Sequence, residues 1–441
     1  MVKVIVAQTK KDCEKLLGTF VDESHYSVLV EEDTDCYMAA ESGQDDEELS
    51  AAEIAEKHLA FKFRKNFFTK QEQEQAYIGL REAATKTFNR GLAAGPKGSS
   101  EDNRDWVTDY QQKIIDTLLK SKTAVAGISD ILDGIVKDKN NSVAAGHRAN
   151  VWLSVKVAKD NFNFDEWLTK VKKLPSDGRI AAAKKVCDEY ISDTTYATPV
   201  NSGIAGWFDR YPRIPYGRAT AYTLHHFDKF KLSFPFLQSL NRGFSELAPW
   251  RWSNQKAVAD KIDQRFLVPG TVFTTVTVNK TFRTACHRDA GDYTKGLSNL
   301  LVLSNNGNYS GGYLVFPEYN IAVNVRPGDL LLVNNHEIIH GNTPIVPLDD
   351  VAERISLVCY FREKMLELGV KEYEDARFEF IESRRKNLDH AEYHKLWNGV
   401  SKNMWKSKEW YDYLKMNQGE AMLKEYHPEV MEKISTLSDF F

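Results

Sequence analysis

The chain is poor in paired cysteines, in long apolar runs and in surplus positive charge. Five cysteines among 441 residues (Cys13, Cys36, Cys187, Cys286 and Cys359) are scattered, odd in number and contain no CxxC pair. That excludes a disulfide framework or a cysteine-based zinc cluster and points to a reducing compartment. No stretch approaches the roughly 18 apolar residues of a membrane span. The opening MVKVIVAQTKKDCEKLL becomes charged after a short apolar run, unlike a secretory leader. A soluble, intracellular protein is expected, with no membrane association and no obligate protein partner. The formal net charge of −4 supplies no global basic field, although local basic patches remain open. Between Glu31 and Glu56 there is no Lys or Arg at all, which reads as a solvated acidic face or loop. No glycine-rich loop or DFG accompanies His287-Arg288-Asp289, so the kinase reading of that tripeptide fails.

What is present is ordinary globular material, 42% hydrophobic and 27% charged, enough for a sizeable core and two or three domains. Residues 1–60 read as a small α/β unit, with VKVIVA and HYSVLV as strands, KKDCEKLLGTF as a helix between them, and an acidic loop. Residues 61–200 read as mainly helical. Thr69-Lys70-Gln71-Glu72 forms a capping box, GLAAGPKGSSEDN (91–103) is a loop, and further helices are expected over 106–120, 125–137, 150–158 and 179–192. Residues 201–250 change character, with WFDRYPRIPYGRATAY read as an irregular surface segment, and from Gly270 the pattern turns to short strands punctuated by turn residues: TVFTTVTVN, SNLLVLSN, GGYLVFPEY, IAVNVRPGDLLLVNN and RISLVCYFRE, so that 201–366 is expected to form one domain. Residues 367–441 read as helical again. The fold class expected is α+β, a sandwich or barrel of strands between helical N-terminal and C-terminal regions.

His336-Glu337-Ile338-Ile339-His340 spells the zinc-protease HExxH, but that motif works only inside a helix, where both histidines share a face. A strand precedes it and Gly341-Asn342-Thr343-Pro344 follows it, so no such helix is expected. A different grouping takes His340 with the His287-x-Asp289 pair. Residues i and i+2 on a strand edge project to the same side. Two imidazoles and one carboxylate make the facial triad of non-haem Fe(II) oxygenases, with positions left for a bidentate 2-oxo acid and dioxygen. Arg354 and Ser356, two apart on the next strand, suit the far carboxylate of 2-oxoglutarate. His336 fits no ligand position.

The run TVNKTFRTACHRDAGDYTKGLSNLLVLSNNGNYSGGYLVFPEYNIAVNVRPGDLLLVNNHEIIHGNTP, followed by RISLVCYFR, resembles the TET/JBP family of 2-oxoglutarate- and Fe(II)-dependent dioxygenases, which oxidise the 5-methyl group of pyrimidines in DNA. The resemblance covers roughly residues 200–365. It implies a double-stranded β-helix (jelly-roll, cupin-like) core, Fe(II) on His287, Asp289 and His340, and 2-oxoglutarate held by Arg354. Arg283 becomes a candidate for the near carboxylate, and Asp292 a candidate for contact with the target base. DNA would be the partner, with the base flipped or single-stranded. WFDRYPRIPYGRATAY (207–222), with Arg210, Arg213 and Arg218, and the Trp/Lys-rich 395–415 segment supply the aromatic and cationic side chains such binding needs. Asp292 as an acceptor from the cytosine amine inclines the expectation to 5-methylcytosine over thymine. A hydroxylase of the same chemistry acting on a protein side chain, free nucleotide or small molecule shares every ligand and remains open.

Overall fold

A computed structural model describes residues 2–7, 11–39, 49–87, 90–95, scattered positions between 166 and 182, 199–209, 216–305, 307–387 and 404–431. The helices expected over 106–120, 125–137 and 150–158 lie outside the described residues, as does all of 179–192 except Ala182.

Sixteen strands are described. They are β1 (Lys3–Ala7), β2 (Val28–Val30), β3 (Thr34–Met38), β4 (Leu59–Arg64), β5 (Thr85–Thr87), β6 (Val200–Asp209), β7 (Gly217–Ala219) and β8 (Thr275–Lys280). The second half adds β9 (Ser298–Ser304), β10 (Tyr309–Gly311), β11 (Leu314–Phe316), β12 (Ile321–Val323), β13 (Leu330–Val333), β14 (Gly341–Asn342), β15 (Ile345–Pro347) and β16 (Arg354–Tyr360). The described α-helices are α1 (Ala51–Lys57), α2 (Lys70–Leu80), α3 (Ala221–His225), α4 (Phe227–Leu232), α5 (Phe234–Leu247), α6 (Pro249–Ala259), α7 (Lys371–Asn387), α8 (Lys408–Asn417) and α9 (Gly419–Tyr426).

The large mixed sheet runs β1-β3-β4-β13-β9-β16-β8-β6-β5, with β7 paired to β6; a smaller sheet runs β14-β11-β12-β2, and β10 pairs with β15. Strand alternation divides the large sheet into two faces. On β16, Ile355, Leu357 and Cys359 enter one core with Val276 and Val278 of β8 and Leu301 and Leu303 of β9. That core is closed by α5, whose Phe236, Leu237, Leu240 and Phe244 repeat at helical spacing. Each such side chain contributes about 1.5–3 kcal/mol on burial. The other face packs Phe61, Phe63, Leu300, Val302, Leu331 and Val333 against Leu314, Phe316, Ile321 and Val323 of the smaller sheet.

The first 64 residues do not stand apart from these sheets. β4 is laddered to β13, and β2 to β12. The segment read as a small α/β unit thus donates strands to both sheets, and KKDCEKLLGTF forms only a three-residue 3-10 turn at Glu14–Leu16. The capping box is present: Thr69 Oγ1 accepts the Glu72 amide and the Glu72 carboxylate accepts the Thr69 amide.

The C-terminal helices have a core of their own. Trp405 and Trp410 are buried with Tyr373, Phe380 and Leu414, so these aromatics serve packing and are not available to stack bases.

Candidate active site

β16 and β8 carry polar residues on the face opposite their helix-covered core. Arg354, Ser356 and Tyr360 of β16, with Thr277 and Asn279 of β8, line a cavity of about 440 Å³, a size within the range of small-ligand sites. His287, Asp289, Asp292 and His340 line the same cavity.

The H-x-D segment is not a regular strand. His287 and His340 form an isolated antiparallel bridge, each amide donating to the other's carbonyl at 3.0 Å. That bridge brings two residues distant in sequence side by side, with ring centroids 4.4 Å apart. The Asp289 amide donates to the Asn335 carbonyl at 3.0 Å, and the Asn335 side-chain amide meets Asp289 Oδ2 at 3.1 Å. Each imidazole is oriented through its Nδ1, which lies 2.8 Å from the Ala285 carbonyl in His287 and 3.0 Å from the Ile338 carbonyl in His340. Both Nε2 atoms therefore face Asp289 Oδ1, at 3.4 Å from His287 and 4.0 Å from His340. All three donor atoms lie within 4.8 Å of one another. A cation with bonds of about 2.1 Å needs edges of about 3 Å between cis ligands, so only a slight contraction would seat one.

The protonation states suit such a role. Burial, then the neighbouring His287, holds the His340 imidazole down to about 4 against the pull of Asp289. Burial works to raise Asp289, but the His287 hydrogen bond, the two histidines and Asn335 outweigh it and keep the carboxyl below its ordinary range. Neutral imidazole and ionised carboxylate are the forms a metal requires. Asp292 is the opposite case: burial and the charge on Asp289 push it well above the usual carboxyl range, despite the Ser298 hydroxyl at 2.6 Å and Arg362.

HExxH is not helical. Residues 335–337 form a turn, and Glu337 is occupied with His336 at 3.3 Å and the Asn334 amide at 2.8 Å. His336 is not among the cavity-lining residues. The turn is held from beneath by buried Glu318, which accepts the Ile339 amide at 2.6 Å.

Arg354 is 2% exposed, donates from Nη2 to the Gly312 carbonyl at 3.3 Å, and has an Nε with no partner among the described residues. A buried guanidinium with a spare donor fits an incoming carboxylate. Ser356, two residues on, lines the same wall. Arg283 does not join them. Its guanidinium stacks on Phe20 and donates to the Val21 carbonyl at 2.6 Å, because the flanking Phe282 and Thr284 take the cavity side. Arg218 lies over the Phe208 ring and is not a lining residue. Arg210 and Arg213 lie outside the described residues.

Among the lining residues that the sequence reading did not single out are Arg90, Asn335, Tyr360 and Arg362. Arg90 comes from a stretch that reads as a plain loop. Tyr360 and Arg362 extend the Arg354/Ser356 alternation and could have been found by continuing it.

Two facing imidazoles and a carboxylate, with an arginine in the same chamber, form a donor set that suits a metal ion beside a carboxylate-bearing ligand. Residues 218–363 match the model of the oxygenase domain of the 2OGFeDO superfamily. That model is the one named Tet_JBP, and the match covers about a third of the chain. The bifunctional helicase and thymine dioxygenase JBP2 of Leishmania infantum is 34% identical over 175 residues, which are 39% of this chain and 15% of that protein. Thymine dioxygenase JBP1 of Trypanosoma brucei brucei is 35% identical over 179 residues, 39% of this chain and 20% of that protein. Thymine dioxygenase JBP1-B of Trypanosoma cruzi (strain CL Brener) is 36% identical over 180 residues, 39% of this chain and 21% of that protein. The chain thus matches about a fifth or less of these relatives' length. A solved structure of NgTET1 in complex with 5mC DNA aligns with a TM-score of 0.34 and 18% identity, covering 41% of this chain and 69% of that one. No described helix is long and apolar enough to cross a membrane.

Proposed function

We propose that the chain is an Fe(II)- and 2-oxoglutarate-dependent dioxygenase that hydroxylates the 5-methyl group of a pyrimidine base in DNA. The catalytic domain is 201–366, and its two facing sheets form a double-stranded β-helix. Residues 1–60, 61–200 and 367–441 are flanking regions, the first of which lends strands to that core. The observation that carries this reading is the convergence of His287, Asp289 and His340 in one cavity with Arg354, whose buried Nε has no partner among the described residues.

Iron and oxoglutarate, when bound there with dioxygen, supply the oxidising power to break a methyl C–H bond, with succinate and carbon dioxide as co-products. His287 and His340 would hold the metal through Nε2, since each Nδ1 is committed to a backbone carbonyl. Asp289 would hold it through Oδ1, with Oδ2 tied to Asn335. Arg354 and Ser356 would bind the far carboxylate of the oxo acid. Asp292, beyond the metal ligands, would face the base edge. The buried position of His340 means that a base reaches the site only when flipped or single-stranded. The protein accordingly works in a compartment that holds DNA. Thymine is the base favoured over 5-methylcytosine, supported by relatives named as thymine dioxygenases at 34–36% identity.

The test is mass spectrometry of nucleosides from thymine-only and 5-methylcytosine-containing DNA after treatment with enzyme, Fe(II) and oxoglutarate. The reading expects a 5-hydroxymethyl base, more from thymine, and none with Asp289→Ala. Oxoglutarate turnover with no oxidised base on any DNA would move the substrate to another class of molecule.

A further inference from the structure

Arg90 lies outside the segment that matches the oxygenase family, yet it lines the same cavity as the three metal-ligand candidates. Its place is fixed on both sides. Upstream, β5 is laddered to β6. Downstream, the Ala93 carbonyl accepts the amide of Ala285 at 2.9 Å, two residues before His287. Nη2 donates to the Gly203 carbonyl at 2.8 Å, whereas Nε is buried without a partner among the described residues. A buried cation with an unused donor is costly unless a ligand completes it.

Its position selects the ligand. Arg354 and Tyr360 share one face of β16 and stand ~20 Å apart along it, six residues at ~3.3 Å each. Gly203, the anchor of Arg90 Nη2, is level with Val278 of β8 and Leu357 of β16, three residues from Arg354 and three from Tyr360. Arg90 Nη2 is thus anchored ~10 Å along the strand from Arg354, on the Tyr360 side of Ser356. Arg362 lines the cavity beyond Tyr360, and its backbone bridges to Asp292. This wall is rich in hydrogen-bond donors. Thymine presents carbonyl acceptors at O2 and O4, while cytosine carries a donating amine in place of O4.

We infer that Arg90 is a specificity-determining residue that donates from Nε to O4 of the extruded pyrimidine, where 5-methylcytosine carries an amine instead, and so favours thymine over 5-methylcytosine. This rests on the DNA-base reading above.

The test compares the whole chain with its Arg90→Gln and Arg90→Lys variants, with Fe(II) and oxoglutarate, on single strands containing thymine or 5-methylcytosine. In Arg90→Gln, kcat/KM on thymine falls about 10–100-fold, the range for losing a charged hydrogen bond. The thymine-to-5-methylcytosine ratio drops and succinate released per oxidised base rises, while the KM for oxoglutarate stays within about twofold. Arg90→Lys restores part of the selectivity, lacking the forked geometry. Unchanged selectivity in Arg90→Gln overturns the inference. So does a raised oxoglutarate KM with coupling intact, which would assign Arg90 to the oxo acid. If Arg90→Gln does not fold, Arg90→Lys decides: a lowered ratio supports the inference and an unchanged ratio overturns it. A wild-type enzyme that releases succinate but oxidises neither base overturns the DNA-base reading itself. That outcome is distinct from a wild type that oxidises thymine and an Arg90→Gln variant that does so equally well.

Discussion

His336 and His340 belong to one five-residue motif, yet only His340 reaches the cavity. The difference is backbone pairing: His340 is bridged to His287, while His336 sits in the preceding turn beside Glu337. His340→Ala should therefore lower affinity for a divalent metal by at least ~100-fold, more than the loss expected for an outer-shell partner. His336→Ala should leave it within about twofold. Titration calorimetry with Mn(II) measures both, and equal losses would mean that the motif acts as a unit. Gly312 offers a second test. It holds φ +70°, and a Cβ there would lie 3.2 Å from Arg354 Nε. Gly312→Ala should raise the KM for oxoglutarate about tenfold by displacing that guanidinium, with metal affinity unchanged. The metal-ligand candidates were legible because residue type, spacing and intervening strands agreed. Arg283 was misplaced because proximity to the H-x-D pair says nothing about which side of an irregular segment a side chain takes.

The strand-rich elements were the most readable part of the chain, since buried apolar runs such as RISLVCY admit few other interpretations. Their termini moved by a few residues; TVFTTVTVN begins pairing only at Thr275. What could not be read was which ion pairs tie elements together. Glu353, just before β16, accepts from Tyr77 and Arg81 at the end of α2 and pairs with Lys280 of β8. Burial works to raise its pKa, but these three partners prevail and hold it at about 2, below the ordinary 4.5. A carboxyl lowered on folding adds stability above its unfolded pKa, and that stability is lost as pH falls from about 4.5 through about 2. Glu353→Gln should thus cost about 1–3 kcal/mol at pH 7 and flatten the fall in melting temperature over that interval. Thermal melts from pH 7 to pH 2 check it; an unchanged slope would place the acid sensitivity elsewhere.

At the scale of the molecule, the family-matched stretch is not a self-sufficient body. β4 covers the edge of β13, β2 covers β12, and Phe61 and Phe63 pack in the same core as Phe316 and Leu331. Gly18 and Thr19 also hydrogen-bond the backbone of Cys286, beside the first histidine. A fragment of residues 218–363 should therefore fail to show a cooperative melt, because two strand edges and an apolar face would be bared. A cooperative transition in circular dichroism would contradict this. Composition could not reveal the dependence, since strand pairing across distant segments leaves no local signature. The C-terminal aromatics were ambiguous in sequence for the same reason, and burial resolves them: Trp410→Ala should cost about 3–5 kcal/mol without altering the salt dependence of DNA binding.

Three side chains from two segments distant in sequence and one arginine share a single chamber, and the proposed function has that chamber take iron and an oxo acid. Joint binding is read from the visible charge-transfer absorption that forms when Fe(II) and oxoglutarate bind together without oxygen. The wild-type chain should develop that band at one equivalent of iron. His287→Ala, Asp289→Ala and His340→Ala should not develop it, and Arg354→Ala should need far more oxoglutarate to reach it. An undiminished band at one equivalent of iron in any of the three single metal-ligand variants would mean that the metal is held elsewhere.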